Sequence, residues 1–219
     1  MNASSVDPFK PPPKAPALPG FERVRRFWSP QIGRWGAKIL PGEFYVTRSD
    51  EVITTVLGSC ISACIRDPVL GVGGMNHFML PEDNSVGTSS WITGAGGLAT
   101  RYGSYAMESL INELMKLGAQ RTRFEVKLFG GGKILSTMTD IGARNIAFAR
   151  GFLKLEGFAI AAEDVGADCP RHVEYYPATG KVMLKRLRSL NVEDIAQQES
   201  IYRTRLVAQP QDDDVELFD

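Results

Sequence analysis

The chain has 219 residues, of which 43% are hydrophobic, enough for one substantial domain with a sizeable core. Basic and acidic residues balance at 25 each, so net charge draws the molecule toward neither nucleic acid nor a membrane surface. The apolar runs fall far short of a membrane span, and three cysteines (Cys60, Cys64, Cys169) are an odd number and no disulfide framework.

The start, MNASSVDPFKPPPKAP, lacks the basic-then-apolar order of a secretory signal, so a reducing cytoplasm is the expected setting. Six prolines within the first twenty residues oppose a packed core, and residues 1–38 read as a flexible, proline-rich extension. Residues 39–190 read as the globular domain, and 191–219 as a C-terminal helix with an acidic tail.

Glu43 to Val56 is rich in β-branched and aromatic residues and predicts a strand. Ile61 to Arg66 predicts a second, ended by Asp67-Pro68, and Val72 to Leu80 a third, stopped by Pro81. Gly87 to Gly103, with Trp91, reads as a long functional loop. A helix follows, with Met107, Leu110, Ile111 and Leu114 at helical spacing, Ser104 as its expected cap and Gly118 at its end. Phe124, Val126 and Leu128 alternate as a half-buried strand running into Gly130-Gly131-Gly132. Residues 140–156 predict a second amphipathic helix, and Phe158 to Val165 a further strand. Val173 to Tyr176 and Lys181 to Leu187 flank a turn at residues 177–180, a hairpin signature. The last helix is expected from Asn191 to about Leu206. Strands and helices mix without strict alternation, so the expected class is α+β, with packed mixed or antiparallel sheets flanked by helices.

The stretch LGSCISAC carries the first candidate chemistry. Cys60 reads either as a buried small hydrophobe or as a nucleophile, because the turn Gly58-Ser59 can leave backbone N–H groups free beside its sulfur. Cys64 lies in an apolar run and reads as core. A thiol nucleophile needs a base, and His77, within GGMNHFMLP, reads as a satisfied core histidine or as an imidazole at a cleft rim. A zinc set of Cys60, Cys64 and His77 with Cys169 or His172 has a loose C-x3-C spacing and no C-x2-C pair, so no metal or cofactor is expected. Gly130-Gly131-Gly132-Lys133 fails the phosphate-loop pattern and reads as a structural turn; Cys169-Pro170-Arg171-His172 reads as a surface loop.

In this order the segments resemble the CheD family of chemoreceptor glutamine deamidases. The resemblance runs through Gly42-Glu43, Leu57-Gly58-Ser59-Cys60, Gly74-Met75 and His77-Phe78-Met79-Leu80-Pro81. It continues through Arg101-Tyr102, the helix to Gly118-Ala119, Lys127 to Gly131, Ile141-Gly142, Arg144-Asn145 and Thr179-Gly180, covering residues 40–188. It implies a cysteine hydrolase whose fold is similar to that of deamidating (CNF-like) toxins. The implied triad is Cys60 as nucleophile, His77 as base and Thr54 as the third member, with Ser59 and Gly58 supplying the oxyanion and substrate-positioning groups. The implied substrate is a glutamine on the helical cytoplasmic domain of a chemoreceptor, with no nucleic acid, no membrane insertion, and a CheC-type phosphatase as a further partner. An adaptor acting mainly on that phosphatase is the alternative, and an unrelated thiol acyltransferase a third. Gly166 to Arg171 departs from the family's glycine-rich loop at Pro170, which implies a stiffer loop.

Overall fold

The computed structural model of the chain describes residues 11–81, 98–134, 140–187 and 192–208. Its strands form two five-stranded sheets. The first contains β1 (Arg25–Ser29), β2 (Arg34–Lys38), β4 (Glu51–Leu57), β9 (Arg171–Tyr176) and β10 (Lys181–Arg186), in the order β1-β2-β4-β9-β10. The second contains β3 (Phe44–Thr47), β5 (Ile61–Asp67), β6 (Val72–Asn76), β7 (Glu125–Gly130) and β8 (Ile160–Val165), in the order β3-β6-β5-β7-β8. Pairing is antiparallel except between β2 and β4 and between β7 and β8. The mixed α+β class expected from the sequence is therefore the one observed.

Composition explains which strands are central. β4 (EVITTVL) is rich in β-branched residues on both faces and β5 (ISACIRD) joins Ile61, Ala63 and Ile65 to small Ser62 and Cys64, and both are buried almost throughout. Helices α1 (Leu98–Lys116) and α2 (Ile141–Leu155) pack on the second sheet, chiefly against β6 and β5, and α3 (Val192–Ala208) reaches the turn between β4 and β5 through Glu199. Asp140 caps α2 by accepting a 2.9 Å hydrogen bond from the Ala143 amide. Gly118 ends the turn after α1 with φ +89°, a left-handed conformation that glycine adopts without strain.

Several expectations need correction. The strand expected over 43–56 is two strands in different sheets: β3 ends at Thr47, whose hydroxyl accepts from the Ser49 amide, and the chain turns before β4. Residues 1–38 are not all a flexible extension. Beyond Pro19 the chain packs Phe21 edge-on against Phe44 and Tyr45, and β1 and β2 form a hairpin joined to β4. Arg26 on that hairpin pairs with buried Glu51, which also accepts from Tyr45 and Thr47 at 2.8 Å. Helix α1 starts at Leu98, ahead of Ser104. Gly103 sits inside it because an added Cβ would lie 2.5 Å from Phe148 and 2.6 Å from Leu80, so packing of α1 against α2 outweighs glycine's poor helix propensity. Trp91, with the expected loop from Gly87 to residue 97, lies outside the described residues, as do Asn191 and the acidic tail. The loop at 169–171 is not surface: Cys169 is buried, and Arg171 is 0% exposed and bonds Asp164 and the Gly166 carbonyl.

Candidate active site

The chain crosses from one sheet to the other through Gly58-Ser59-Cys60, between the end of β4 and the start of β5. Backbone polar groups in so buried a crossing must all find partners. The three carbonyls are tied on one side: Gly58 accepts from the Gly132 amide at 2.7 Å, Cys60 from the Gly131 amide at 2.7 Å, and Ser59 from the Asn145 side-chain amide at 2.8 Å. Gly131 makes its bond from a left-handed φ of +65°, so the glycine run read as a structural turn is the brace of the cysteine turn.

With the carbonyls held, the amides of residues 58, 59 and 60 face one point. They converge on the carboxylate of Glu199, reached from α3. Gly58 and Cys60 donate to Oε1 at 2.9 and 3.2 Å, and Ser59 donates to Oε2 through its amide at 2.8 Å and its hydroxyl at 2.5 Å. Gly58 must lack a side chain here, since a Cβ would clash with Ile134 Cδ1 and lie 2.8–2.9 Å from the two carboxylate oxygens. The expected anion-binding role of Gly58 and Ser59 thus has a geometric counterpart, a cradle of three backbone amides and one hydroxyl.

His77 reaches this turn through strand pairing. β6 ends at Asn76, and Ile61 and Phe78 then exchange both backbone hydrogen bonds, at 2.9 and 3.0 Å, which sets His77 beside Cys60. The His77 backbone is clamped by the Glu43 carbonyl and the Gly42 amide, giving Gly42-Glu43 a definite job. One ring nitrogen of His77, the Cys60 sulfur and a Glu199 oxygen lie within 4.8 Å of one another.

The orientation of the imidazole follows from Thr55. Its hydroxyl lies 2.8 Å from the Ile39 carbonyl and 2.8 Å from His77 Nδ1. A hydroxyl has one hydrogen, and the Ile39 carbonyl can only accept, so Nδ1 carries the proton and donates to Thr55. Nε2 is then left as the basic nitrogen, buried and without a hydrogen-bond partner among the described residues. Burial holds the ring's pKa down, to about 3 from an ordinary 6.5, so the resting ring is neutral. Thr54, expected as the third member, does not reach His77. Neighbouring residues of a strand point to opposite faces, and the Thr54 hydroxyl instead meets His172 Nε2 at 2.7 Å. The face that meets His77 belongs to Thr55.

Cys60 is fully buried. That burial, followed by the charge of Glu199, pushes its thiol well above the usual range. Cys64 is buried in β5 and its thiol is likewise raised by burial, in keeping with a core residue. Cys64, Cys169 and His172 join no metal-ligating cluster among the described residues; the one such group is Cys60, His77 and Glu199. It is poorly suited to a metal, because all four lone-pair positions of the Glu199 carboxylate already accept hydrogen bonds. Without Glu199, the same cradle is shaped for the oxygen of a carbonyl under attack by Cys60.

Sequence reasoning missed two residues. Asn145, noted only within a matching segment, joins the site's halves: it donates to the Ser59 carbonyl, and its oxygen accepts from the Leu80 amide at 3.0 Å. Its signal was a polar residue on the buried face of α2, next to Ile141, Phe148 and Ala149. Glu199 carried a similar signal, an acid on the helix face of Ile195, Tyr202 and Leu206.

A family model described as CheD chemotactic sensory transduction matches residues 79–186. The chain is 50% identical over 218 residues to a probable chemoreceptor glutamine deamidase CheD of Hahella chejuensis, covering 100% of each protein. It is 48% identical over 201 residues to one of Halorhodospira halophila, covering 92% of this chain and 93% of the relative. A third, of Hydrogenovibrio crunogenus, is 54% identical over 183 residues, covering 83% and 93%. No helix among the described residues is long and apolar enough to cross a membrane. With half of its residues matched along the full length of such a relative, the chain belongs to the CheD family.

Proposed function

We propose that this protein is a chemoreceptor glutamine deamidase in which Cys60 is the nucleophile, His77 the base and Thr55 the residue that orients the base. The observation that carries the site assignment is the His77 ring within 4.8 Å of the Cys60 sulfur, its Nε2 without a hydrogen-bond partner among the described residues, at the edge of a cradle of three amides. His77 Nε2 takes the thiol proton, and the sulfur attacks the δ-carbon of a glutamine side chain. The carbonyl oxygen gathers negative charge in the cradle of the 58–60 amides. His77 returns the proton to the leaving nitrogen and ammonia departs, leaving a thioester. Water, deprotonated by the same Nε2, cleaves the thioester to give glutamate and the free thiol. Thr55 keeps Nδ1 protonated throughout and accepts from the imidazolium formed in each half-reaction.

The resemblance adds three further proposals: a sheet arrangement of the deamidating-toxin type, action in the cytoplasm, and a CheC-type phosphatase as binding partner, the last testable by co-purification. The function itself is tested by incubation with a purified chemoreceptor cytoplasmic fragment and peptide mass spectrometry for glutamine-to-glutamate conversion. Conversion is expected with the native chain and none with Cys60→Ala. Failure of the first, or persistence in the second, would refute the assignment.

A further inference from the structure

A buried carboxylate is costly unless fully hydrogen-bonded, and a glutamate at 2% exposure in the middle of a helix face needs a reason. The face of α3 that meets the domain carries Ile195, Glu199, Tyr202 and Leu206, so the acid takes the central place. Its four hydrogen bonds all come from the turn that bears the nucleophile. Glutamate is also the product of glutamine deamidation, and here it is presented from a helix with its carboxylate beside the Cys60 sulfur.

We infer that the seat of α3 is the groove in which the enzyme receives the helix carrying its target glutamine, and that α3 holds this groove shut as a product-like occupant. The inference rests on the deamidase reading above and adds to it the partner's shape and a self-imposed closure. Outside the cradle, the contacts that hold α3 include Tyr202, whose hydroxyl meets that of Tyr102, and buried Leu206, while Ile201 on the outer face is 48% exposed. Two cavities lie along α3, one of ≈ 470 Å³ lined by Tyr202, Arg205 and Leu206 of its C-terminal half and one of ≈ 250 Å³ lined by Asp194, Ile195 and Gln198 of its N-terminal half. His77 lines both, so α3 lies over the base with open space beside each half. In this state the site is inactive for two reasons. The cradle is filled, and the carboxylate opposes formation of the Cys60 thiolate.

An incoming helix must displace an occupant tethered to the domain, and such an occupant competes at an effective concentration in the millimolar range. Removing its anchor lowers the apparent KM, because the competent fraction rises.

The test uses the full-length chain. In Glu199→Ala, alkylation of Cys60 by iodoacetamide, resolved by peptide mass spectrometry, should accelerate about tenfold or more, with Cys64 unchanged. An unchanged Cys60 rate, or an equal rise at Cys64, would overturn the closure. In Glu199→Gln the carboxamide should enter the cradle and be hydrolysed in cis, restoring the glutamate with release of ammonia. Conversion should be confined to position 199, sparing the exposed Gln197 and Gln198, and absent when Cys60→Ala is added. Retention of the introduced carboxamide, or conversion independent of Cys60, would overturn the product-like placement. Receptor assays separate this idea from the one on which it rests. Receptor conversion without cis conversion leaves the deamidase and removes the α3 seat. Cis conversion without receptor conversion leaves the seat and removes the receptor as substrate.

Discussion

Thr55→Ala separates the two threonines of β4. The substitution removes the acceptor of His77 Nδ1–H and the donor to the Ile39 carbonyl, each at 2.8 Å in a buried site. The Ile39 loss falls on stability, at about 1–3 kcal/mol for a buried group left unpaired. The Nδ1 loss falls on the reaction, because the imidazolium formed as Cys60 is deprotonated no longer has its buried acceptor. A hydrogen bond to a charged group contributes about 1.5–3 kcal/mol, which converts to a roughly 10- to 150-fold fall in kcat/KM. Thr54→Ala removes the bond to half-buried His172 on the face away from His77 and should change the rate less than about twofold, its cost falling on stability instead. The assay is the rate of glutamine-to-glutamate conversion on a chemoreceptor cytoplasmic fragment, with urea midpoints run in parallel to remove the stability component. Thr55→Ser keeps the hydroxyl and should recover most of the rate, which a merely structural defect would not require. If Thr54→Ala proves as harmful as Thr55→Ala, the face assignment is wrong and so is the tautomer argument built on it.

Stability should depend on pH through His77. Burial holds the folded ring at about 3 against 6.5, so below 6.5 the unfolded chain binds a proton that the folded chain refuses. The folded state therefore loses about 1.4 kcal/mol per pH unit as pH falls from 6.5 toward 3, and His77→Asn should flatten this slope in urea midpoints measured between pH 7 and 4.5; an equal slope in the variant would place the titration elsewhere. Asn145→Ala strands the Ser59 carbonyl and the Leu80 amide and should cost on the order of 2–5 kcal/mol by chemical denaturation, a cost below about 1 kcal/mol arguing against a joining role. Gly58→Ala sets a methyl group over the cradle and should reduce deamidation about 100-fold or more with the circular dichroism spectrum preserved. A near-native rate would show that the oxygen of the reacting amide lies elsewhere.

The parts of the fold that were readable rest on local signals. The 177–180 hairpin turn, the stop after α1 at Gly118 and the extent of α2 each follow from spacing and terminator residues within one segment. The errors arise where tertiary packing decides. Nothing local divides residues 43–56 between two sheets, because both halves are equally β-forming; the bend is fixed by Thr47 and by the partners each half finds across the molecule. The prolines before Pro19 gave their character to a stretch extending to residue 38, although Phe21, Trp28 and Trp35 already offered apolar surface for a hairpin to bury.

The site divides along the same line. Cys60 and His77, the proposed nucleophile and base, stand out in the sequence because each lies in a short segment whose chemistry is visible alone, and because consecutive strands commonly pair. Which threonine faces His77 was not readable. Parity along β4 is set by its register, with Thr54 opposite Glu174 and Thr55 opposite Val173, and that register is a long-range fact. Glu199 is the sharpest case. On its own helix it is one acid among several, and any of them could face water. Only when Gly131, Gly132 and Asn145 have claimed the carbonyls of the cysteine turn do three amides remain pointing at one place. A donor set of that kind accepts an oxygen carrying negative charge, whether it belongs to a tetrahedral intermediate, a product glutamate or a resident carboxylate. The chain supplies the resident one, 139 residues beyond the cysteine whose amide it accepts from. Catalysis and closure therefore compete for the same four hydrogen bonds. Strengthening the cradle for the transition state also strengthens the hold of α3, so substitutions that tighten it should improve turnover only in chains whose residue 199 no longer carries the carboxylate.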